Sequence, residues 1–189
     1  MGPRCVLPTI PKVGRFSPWK SRFSGPRSLL VIPMKPSNVT RLLDSHGIPY
    51  TAYELPEAKL GAVEAAQFLG VSPDLVYKTI VVTRIGGGKP ILAMIPGTSE
   101  VDLKALARAL GEKRVTLPPQ RQAERLTGLQ AGGISPLALL KRGFQVVIDA
   151  SAIAQEEIYI SGGQRGLNIR LPVSALVALT NASWAEIST

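Results

Sequence analysis

The chain has 189 residues, 45% of them hydrophobic and 19% charged, which suits one globular domain with a full core. Its net charge of +9 suggests a nucleic-acid partner, but seven of the 22 Lys and Arg, and none of the 13 Asp and Glu, lie in residues 1–35; the remainder has 15 basic and 13 acidic side chains. One cysteine (Cys5) and one histidine (His46) exclude an intrachain disulfide and a Cys/His zinc site, and leave only His46 as the base of a Ser-His-Asp or Cys-His arrangement.

Residues 1–33 combine Pro, Gly, Ser and Arg without a helical or strand period. They predict a basic disordered extension before a domain over residues 34–189. The extension is either dispensable or, since it lacks acidic residues, an organelle-targeting segment. No apolar run approaches the ~20 residues of a membrane helix, so we expect no membrane association and a cytoplasmic protein.

The first regular elements follow Met34. Ser37 or Asn38 is suited to cap a helix that ends at Gly47. We expect His46, in its last turn, to be structural or at the surface, because no partner for chemistry lies nearby in the sequence. Alternation then predicts a strand over 50–55, and Gly70 closes a short helix that begins at Gly61.

The middle of the chain predicts a hairpin of strands 76–85 and 91–95 around "GGGKP". This glycine turn lacks the GxxxxGK[ST] spacing of a phosphate loop, and we reject that reading. The next helix, over 99–111, is expected to begin with a capping box of Ser99 and Asp102.

The last elements are predicted in the same way: a short strand around Val115, a helix over 118–128, a glycine-containing loop over 130–136, a strand over 144–150, a hairpin over 158–171 and a helix from Pro172. Strands and helices mix without a strict βαβ repeat, which favours an α+β fold with a mixed, curved sheet.

Three motifs, "VYKTIVV", "GGISP" and "IYISGGQRGL", occur in this order and together with "VDLKALARALG". In these motifs residues 35–189 resemble the YbaK/prolyl-tRNA-synthetase-associated domain family of free-standing aminoacyl-tRNA deacylases. The resemblance implies a mixed β-barrel flanked by helices. It also implies hydrolysis of mischarged aminoacyl-tRNA in trans, most typically of Cys-tRNA(Pro).

The resemblance also implies site residues. The family's essential lysine falls on Lys78, and the serine of its "SGG" turn on Ser161. Its GxxxP loop covers Gly132, Gly133, Ile134, Ser135 and Pro136, and a pocket tyrosine matches Tyr53. Two positions depart from the pattern: Leu60 replaces a phenylalanine of the cysteinyl-specific members, and Asn168 replaces a pocket aspartate. Both departures bear on the substrate more than on the reaction class.

The residues themselves support part of this assignment. Val76, Ile80 and Val82 share one strand face with Lys78, so the ammonium projects from an apolar row and needs an anion or polar partner. Gly132 and Gly133 allow backbone groups to approach a substrate, although "GGISP" is equally typical of a plain turn. Similarly, position 168 either faces the pocket or faces solvent on a strand.

The site contains neither a nucleophile nor a base, but an aminoacyl ester is already activated, so positioning and oxyanion stabilisation suffice. For a cysteinyl substrate the family implies attack by the substrate's own thiolate. The alternatives are a non-catalytic tRNA- or aminoacyl-binding module and a deacylase of other specificity, such as for Ala-tRNA(Pro). The expected partners are the 3′ end of aminoacyl-tRNA and prolyl-tRNA synthetase; no metal or cofactor is expected.

Overall fold

The structure, a computed structural model, describes residues 36–189. The predicted extension over 1–33 and Cys5 lie outside the described residues, and the domain boundary at residue 34 stays a prediction. In the part of the chain that is described, no helix is long and apolar enough to cross a membrane.

Five α-helices lie in residues 36–189: α1 (Asn38–Ser45), α2 (Ala62–Leu69), α3 (Leu103–Ala109), α4 (Gln120–Thr127) and α5 (Val173–Thr180). Short 3-10 helices cover Pro73–Leu75, Leu137–Arg142 and Ala150–Ala154. The described residues also form eight strands: β1 (Thr51–Glu54), β2 (Tyr77–Arg84), β3 (Ile91–Pro96), β4 (Val115–Thr116), β5 (Gln145–Asp149), β6 (Glu157–Ser161), β7 (Leu167–Pro172) and β8 (Ser183–Ala185).

The helix ends mostly follow the sequence signals. Ser37 caps α1 by accepting a hydrogen bond from the N–H of Thr40 at 3.1 Å. His46 ends the helix at an exposed position, in agreement with the expectation of a surface residue, and its Nδ1 lies 2.9 Å from the carbonyl oxygen of Leu42. Gly70 ends α2 with φ 69°, a left-handed conformation that favours glycine.

The predicted start of α3 is wrong. Asp102, not Ser99, is the cap: its Oδ1 accepts hydrogen bonds from the N–H groups of Lys104 and Ala105 at 2.8 and 3.0 Å. The chain is still extended at Val101, which forms an antiparallel bridge with Ser188. The helix therefore begins after this bridge, and the Ser99–Asp102 spacing is not used as a capping box.

The strands form two sheets, which confirms the predicted α+β fold with mixed strand directions. One sheet has the order β1-β7-β6 and is antiparallel. The other has the order β4-β2-β3-β5-β8; β2 is antiparallel to β3 and β4, whereas β5 is parallel to β3 and β8. The sheets meet at one parallel bridge between Val76 and Tyr159.

Apolar side chains fill three layers. The main core, which includes Leu43, Met94, Ile148, Ile160 and Ile169, joins the two sheets to α1 and α5. A second cluster lies between α3 and the five-stranded sheet and contains Val82, Ile95 and Leu106. A third, around Ala65, Val76 and Tyr159, packs α2 against the junction of the sheets. These layers fix the edges of β2 and β6, where the site lies.

Asp149 ties the C-terminal strand to β5. Its carboxylate accepts hydrogen bonds from the N–H groups of Ser151 (3.0 Å) and Ile187 (2.9 Å). Burial opposes ionisation of Asp149, but hydrogen bonds from Ser151 and Ile187 outweigh it and place the pKa below its ordinary value of 3.8. The short strand β8, which the sequence pattern did not predict, depends on this anchor and on its pairing with Val147, Ile148 and Asp149.

Asp149→Ala is expected to lower the free energy of unfolding by about 3 kcal/mol at pH 7, because buried donors lose a charged acceptor. The pKa of Asp149 is lower in the folded chain than in the unfolded chain. The stability that this difference contributes is therefore fully present at a pH above the unfolded-state pKa, and it is lost as the pH falls through the folded-state pKa. Urea unfolding from pH 7 to pH 2 tests this, and the difference from wild type should narrow below pH 3.8. The exposed neighbour Glu186→Ala is the control; an equal loss there would contradict the prediction.

Candidate active site

A cleft of 410 Å³ opens where the two sheets separate along one edge of β2. On its other edge β2 pairs with β3. On the cleft edge, β2 makes backbone pairs only near its two ends. Val76, just before the strand, forms a bridge with Tyr159, and Thr83 and Arg84, at its other end, pair with β4. The consecutive residues from Val76 to Val81 line the cleft. The remaining walls come from the residues before and within α2, from residues 117–123, from the loop over 131–134 and from the β6–β7 hairpin.

Lys78 is at the centre of the β2 wall. Its side chain is 23% exposed, and its Nζ lies 3.1 Å from Oε1 of Glu100 and 3.4 Å from the carbonyl oxygen of Gly97. Ile80 and Val82 share its strand face and pack toward α3, as the alternation predicted. Val76, which was predicted on the same face, precedes β2 and packs instead with Ala65 and Tyr159. The Glu100 side chain is 85% exposed, and such ion pairs contribute only ~0–1 kcal/mol. A polar or anionic substrate group can therefore replace Glu100 at little cost.

The loop before Ile134 is held from two sides. Oε1 of Glu124 accepts hydrogen bonds from the N–H of Ala131 at 2.9 Å and from Nε2 of Gln120 at 3.0 Å. The Ala131 bond and then the Gln120 bond lower the pKa of Glu124, so it is a carboxylate at neutral pH. From the other side, Nε of Arg165 donates to the carbonyl oxygen of Ala131 at 2.8 Å. This segment is a fixed wall rather than a plain turn.

The five residues of the GxxxP loop divide into two groups. Gly132, with φ 89°, and Ile134 line the cleft. Gly133, Ser135 and Pro136 are buried and lie outside the cleft lining. A Cβ atom at Gly133 would lie 2.9 Å from the backbone nitrogen of Arg165, so this glycine is needed for the loop to pack on the hairpin turn. For these three residues, contact with substrate stays a prediction, and their positions indicate support of the wall.

The hairpin brings the next two predicted residues together. Ser161 on β6 pairs directly with Asn168 on β7, and both line the cleft. Oγ of Ser161 donates to the carbonyl oxygen of Gly132 at 3.5 Å and accepts from the N–H of Gly163 at 3.4 Å, which joins the hairpin to the glycine loop. Of the two positions that the sequence left open for Asn168, facing the pocket or facing solvent, the structure has the first.

Tyr53 and Leu60 have different surroundings. Leu60 lines the cleft next to the helix α2. Tyr53 pairs with Asn168 across β1 and β7 but lies outside the cleft lining; its ring centre is 5.6 Å from that of Tyr159. Burial, and then the neighbouring Tyr159, raise the pKa of Tyr53, so its phenol is neutral. Contact between Tyr53 and substrate stays a prediction.

Sequence reasoning missed Glu100, Glu124 and Arg165. Only Glu124 left a signal: it lies four residues after Gln120 on one helix face, the spacing at which side chains meet. Glu100 and Arg165 act on residues 22 and 34 positions away, and no local pattern shows such contacts.

The arrangement defines a class of site. Within the described residues, the cleft lining has one lysine, backbone groups, three hydroxyls (Tyr77, Thr79 and Ser161) and two amides (Gln120 and Asn168), but no cysteine or histidine. Such a site orients and stabilises a bond that is already reactive, and does not supply its own strong nucleophile.

The chain belongs to the aminoacyl-tRNA editing domain family, whose sequence pattern matches residues 57–179. A protein of Enterococcus faecalis with the provisional name Cys-tRNA(Pro)/Cys-tRNA(Cys) deacylase EbsC is 37% identical over 155 residues, which cover 81% of this chain and 93% of that protein. A proline–tRNA ligase of Thermodesulfovibrio yellowstonii is 32% identical over 77% of this chain and 24% of the ligase.

Solved structures share the fold. The hypothetical protein APE2540 has a TM-score of 0.74 and 25% identity, over 81% of this chain and all of that one (100%). A structure described as a provisional trans-editing enzyme for prolyl-tRNA synthetase has a TM-score of 0.70 and 24% identity, over 82% of this chain and 99% of that one. The predicted family, fold and class of aminoacyl-tRNA-editing enzyme are thus confirmed.

Proposed function

We propose that this chain hydrolyses the ester bond of mischarged aminoacyl-tRNA in trans, with Cys-tRNA(Pro) as its main substrate. The observation that carries the proposal is the ammonium of Lys78, held at the wall of the cleft by an exposed and readily exchanged carboxylate. The cleft volume of 410 Å³ lies within the ~300–1,000 Å³ of small-molecule sites, so the aminoacyl end of a tRNA is a suitable occupant.

Lys78 and the backbone around Gly132 act on the ester carbonyl. As the carbonyl carbon is attacked, negative charge develops on its oxygen, and a fixed positive charge stabilises that charge more than it stabilises the ground state. Ser161 and Asn168, on the facing hairpin, hold the aminoacyl group against β2. Because the reacting groups are already held in position, they do not have to meet by diffusion in solution, and this lowers the entropic part of the barrier.

A cysteinyl substrate supplies the nucleophile. The positive charge of Lys78 favours the substrate thiolate, whose sulfur attacks the substrate's own carbonyl carbon. The new C–S bond forms as the ester C–O bond breaks, and the leaving oxygen takes up a proton equivalent to the one that the thiol lost, so the tRNA leaves with a free terminal hydroxyl. Water then hydrolyses the cyclic thioester to free cysteine.

Parallel deacylation assays of the full chain on Cys-tRNA(Pro), Ala-tRNA(Pro) and Cys-tRNA(Pro) with an alkylated thiol test the proposal. We expect hydrolysis of the first and loss of at least about 100-fold with the alkylated substrate, because its sulfur cannot attack. Equal rates on the native and alkylated esters would overturn the thiol step. Hydrolysis of Ala-tRNA(Pro) alone would identify the other specificity, and binding of both without turnover would identify a non-catalytic module.

Asn168 sets the strength of substrate binding in this proposal. Asn168→Asp is expected to raise kcat/KM by up to about tenfold, ~1.4 kcal/mol, because a carboxylate bonds the substrate α-ammonium more strongly than an amide does. Asn168→Ala is expected to lower kcat/KM. Steady-state deacylation of the three proteins checks this, and equal values would place residue 168 outside the reaction.

Prolyl-tRNA synthetase is the proposed protein partner, since an editing enzyme in trans acts on tRNA that a synthetase releases. The related domain within a proline–tRNA ligase supports this pairing. The cytoplasm is the proposed location, with an organelle as the alternative if residues 1–33 direct import.

A further inference from the structure

A second concave surface, of 400 Å³, lies between α3 and the segment that leads into β4. Four of its lining residues carry positive charge: Lys104 and Arg108 on α3, and Lys113 and Arg114 before β4. We call these four residues the basic strip. All four side chains are exposed, and the two on α3 are four residues apart, on one helix face.

The basic strip has more cations than nearby anions. Among residues 36–189 none of the four takes part in a salt bridge, and residues 1–35 contain no Asp or Glu that could neutralise them. Two acids lie close: Glu112 pairs with Arg84 at 2.6 Å, and Asp102 caps α3, its pKa lowered first by the N–H of Ala105 and less by the charges of Arg108 and Lys104. Four cations therefore face one carboxylate that is not already paired with an arginine. Like charges at this spacing repel, so the surface is suited to an added polyanion.

The basic strip continues into the cleft. Lys113 to Thr116 line the second surface, and the next residues, Leu117, Pro118 and Gln120, line the cleft. Strand β4, which follows Arg114 directly, pairs with Thr83 and Arg84 of β2. These two residues lie five and six positions after Lys78, so at ~3.3 Å per residue the paired end of β4 is about 17–20 Å from Lys78 along the strand.

A nucleic-acid strand has the matching spacing. Stacked nucleotides place one phosphate every ~3.4 Å, so a strand whose 3′-terminal nucleotide occupies the cleft reaches this distance after about five nucleotides. In tRNA that point is where the single-stranded 3′ end joins the acceptor stem. The net charge of residues 36–189 is only +2, which makes a local strip, rather than the overall charge, the source of attraction.

From this geometry we infer that the basic strip binds the backbone phosphates of the tRNA acceptor stem while the 3′ end lies in the cleft. The inference rests on the proposed function for the identity of the RNA. Phosphate contacts of this kind set register and affinity without reading bases. The basic strip would therefore direct an aminoacyl end into the cleft for any tRNA with an ordinary stem.

The test is binding of uncharged tRNA(Pro), labelled at its 5′ end, by fluorescence anisotropy over a salt series. Two variants remove the strip in halves: Lys104→Gln with Arg108→Gln, and Lys113→Gln with Arg114→Gln. Each pair is expected to weaken binding about tenfold or more at low salt. Each is also expected to reduce the slope of log K against log salt by about 2, near 0.9 for each lost phosphate contact.

The matched control is Arg41→Gln with Lys141→Gln. It removes the same charge from exposed positions on α1 and on the 3-10 helix Leu137–Arg142, which contribute nothing to the cleft lining. A slope unchanged in the strip variants, or reduced equally in the control, would overturn the inference.

A second readout separates this inference from the proposed function. The ratio of kcat/KM for Cys-tRNA(Pro) to that for 3′-cysteinyl adenosine is expected to fall at least about fivefold in the strip variants. If the wild-type chain hydrolyses neither substrate, the proposed function fails, while the anisotropy slopes still decide whether the strip binds the stem. If hydrolysis is normal and the slopes do not change, only the strip assignment fails.

Discussion

Lys78→Ala is expected to lower kcat/KM for Cys-tRNA(Pro) deacylation at least about 100-fold, equivalent to ~2.7 kcal/mol of lost transition-state stabilisation. Among residues 36–189, no cysteine or histidine lines the cleft that could take over the role of the ammonium. The loss should appear mainly in kcat, because charge on the carbonyl oxygen develops only in the transition state. Single-turnover assays with saturating protein measure this step directly.

Two controls belong with this variant. Lys141→Ala removes an exposed lysine that is not part of the cleft lining and should leave the rate unchanged. Lys78→Arg keeps the charge but replaces a compact ammonium with a planar guanidinium, and should restore little activity. Urea unfolding of Lys78→Ala should stay within about 1 kcal/mol of wild type, since the ion pair with Glu100 is exposed. Near-wild-type turnover in Lys78→Ala would refute the assignment of the site.

Gly133→Ala is expected to have the second largest effect. A Cβ atom there would lie 2.9 Å from the Arg165 nitrogen and 3.0 Å from the Cα of Gln164, which are backbone atoms and cannot rotate away. The loop must then move from the hairpin turn, at a cost of about 1–3 kcal/mol, and the wall carrying Gly132 and Ile134 moves with it. We expect a 10- to 100-fold lower kcat/KM together with the loss of stability.

The matched control is Gly86→Ala, in the turn between β2 and β3, where a Cβ atom would meet nothing within 4 Å. Deacylation assays and thermal unfolding of both variants make the comparison. If Gly133→Ala kept full activity with normal stability, the loop would be a plain turn and not a wall of the site.

The sequence was informative wherever structure depends on neighbours in the chain. Alternation located Lys78 on a strand among apolar residues, and the glycine-rich turn predicted the β6–β7 hairpin that pairs Ser161 with Asn168. The resemblance to a family then predicted that these positions belong to one site, which their spacing in the sequence alone did not indicate.

The remaining features depend on contacts between distant residues. The clamp of Glu124 and Arg165 on Ala131 joins three separate segments, and each side chain alone resembles an ordinary surface charge. Strand β8 exists because Asp149 and β5 hold it, although its own three residues have little strand signal. Ser99 lost its predicted role for the same reason, since the bridge from Val101 to Ser188 delays the start of α3.

The backbone pairing of Thr189 with Glu100 has a practical consequence for work with residues 1–189. Thr189 and Glu100 exchange two backbone hydrogen bonds, of 2.9 and 3.2 Å, so residue 189 helps to order the segment whose carboxylate meets Lys78. An affinity tag joined directly to residue 189 would begin beside these bonds and compete with them for space. Purification tags are therefore better placed at the amino end. If a preparation with a tag at residue 189 loses activity, the tag should be removed before the loss is attributed to the active site.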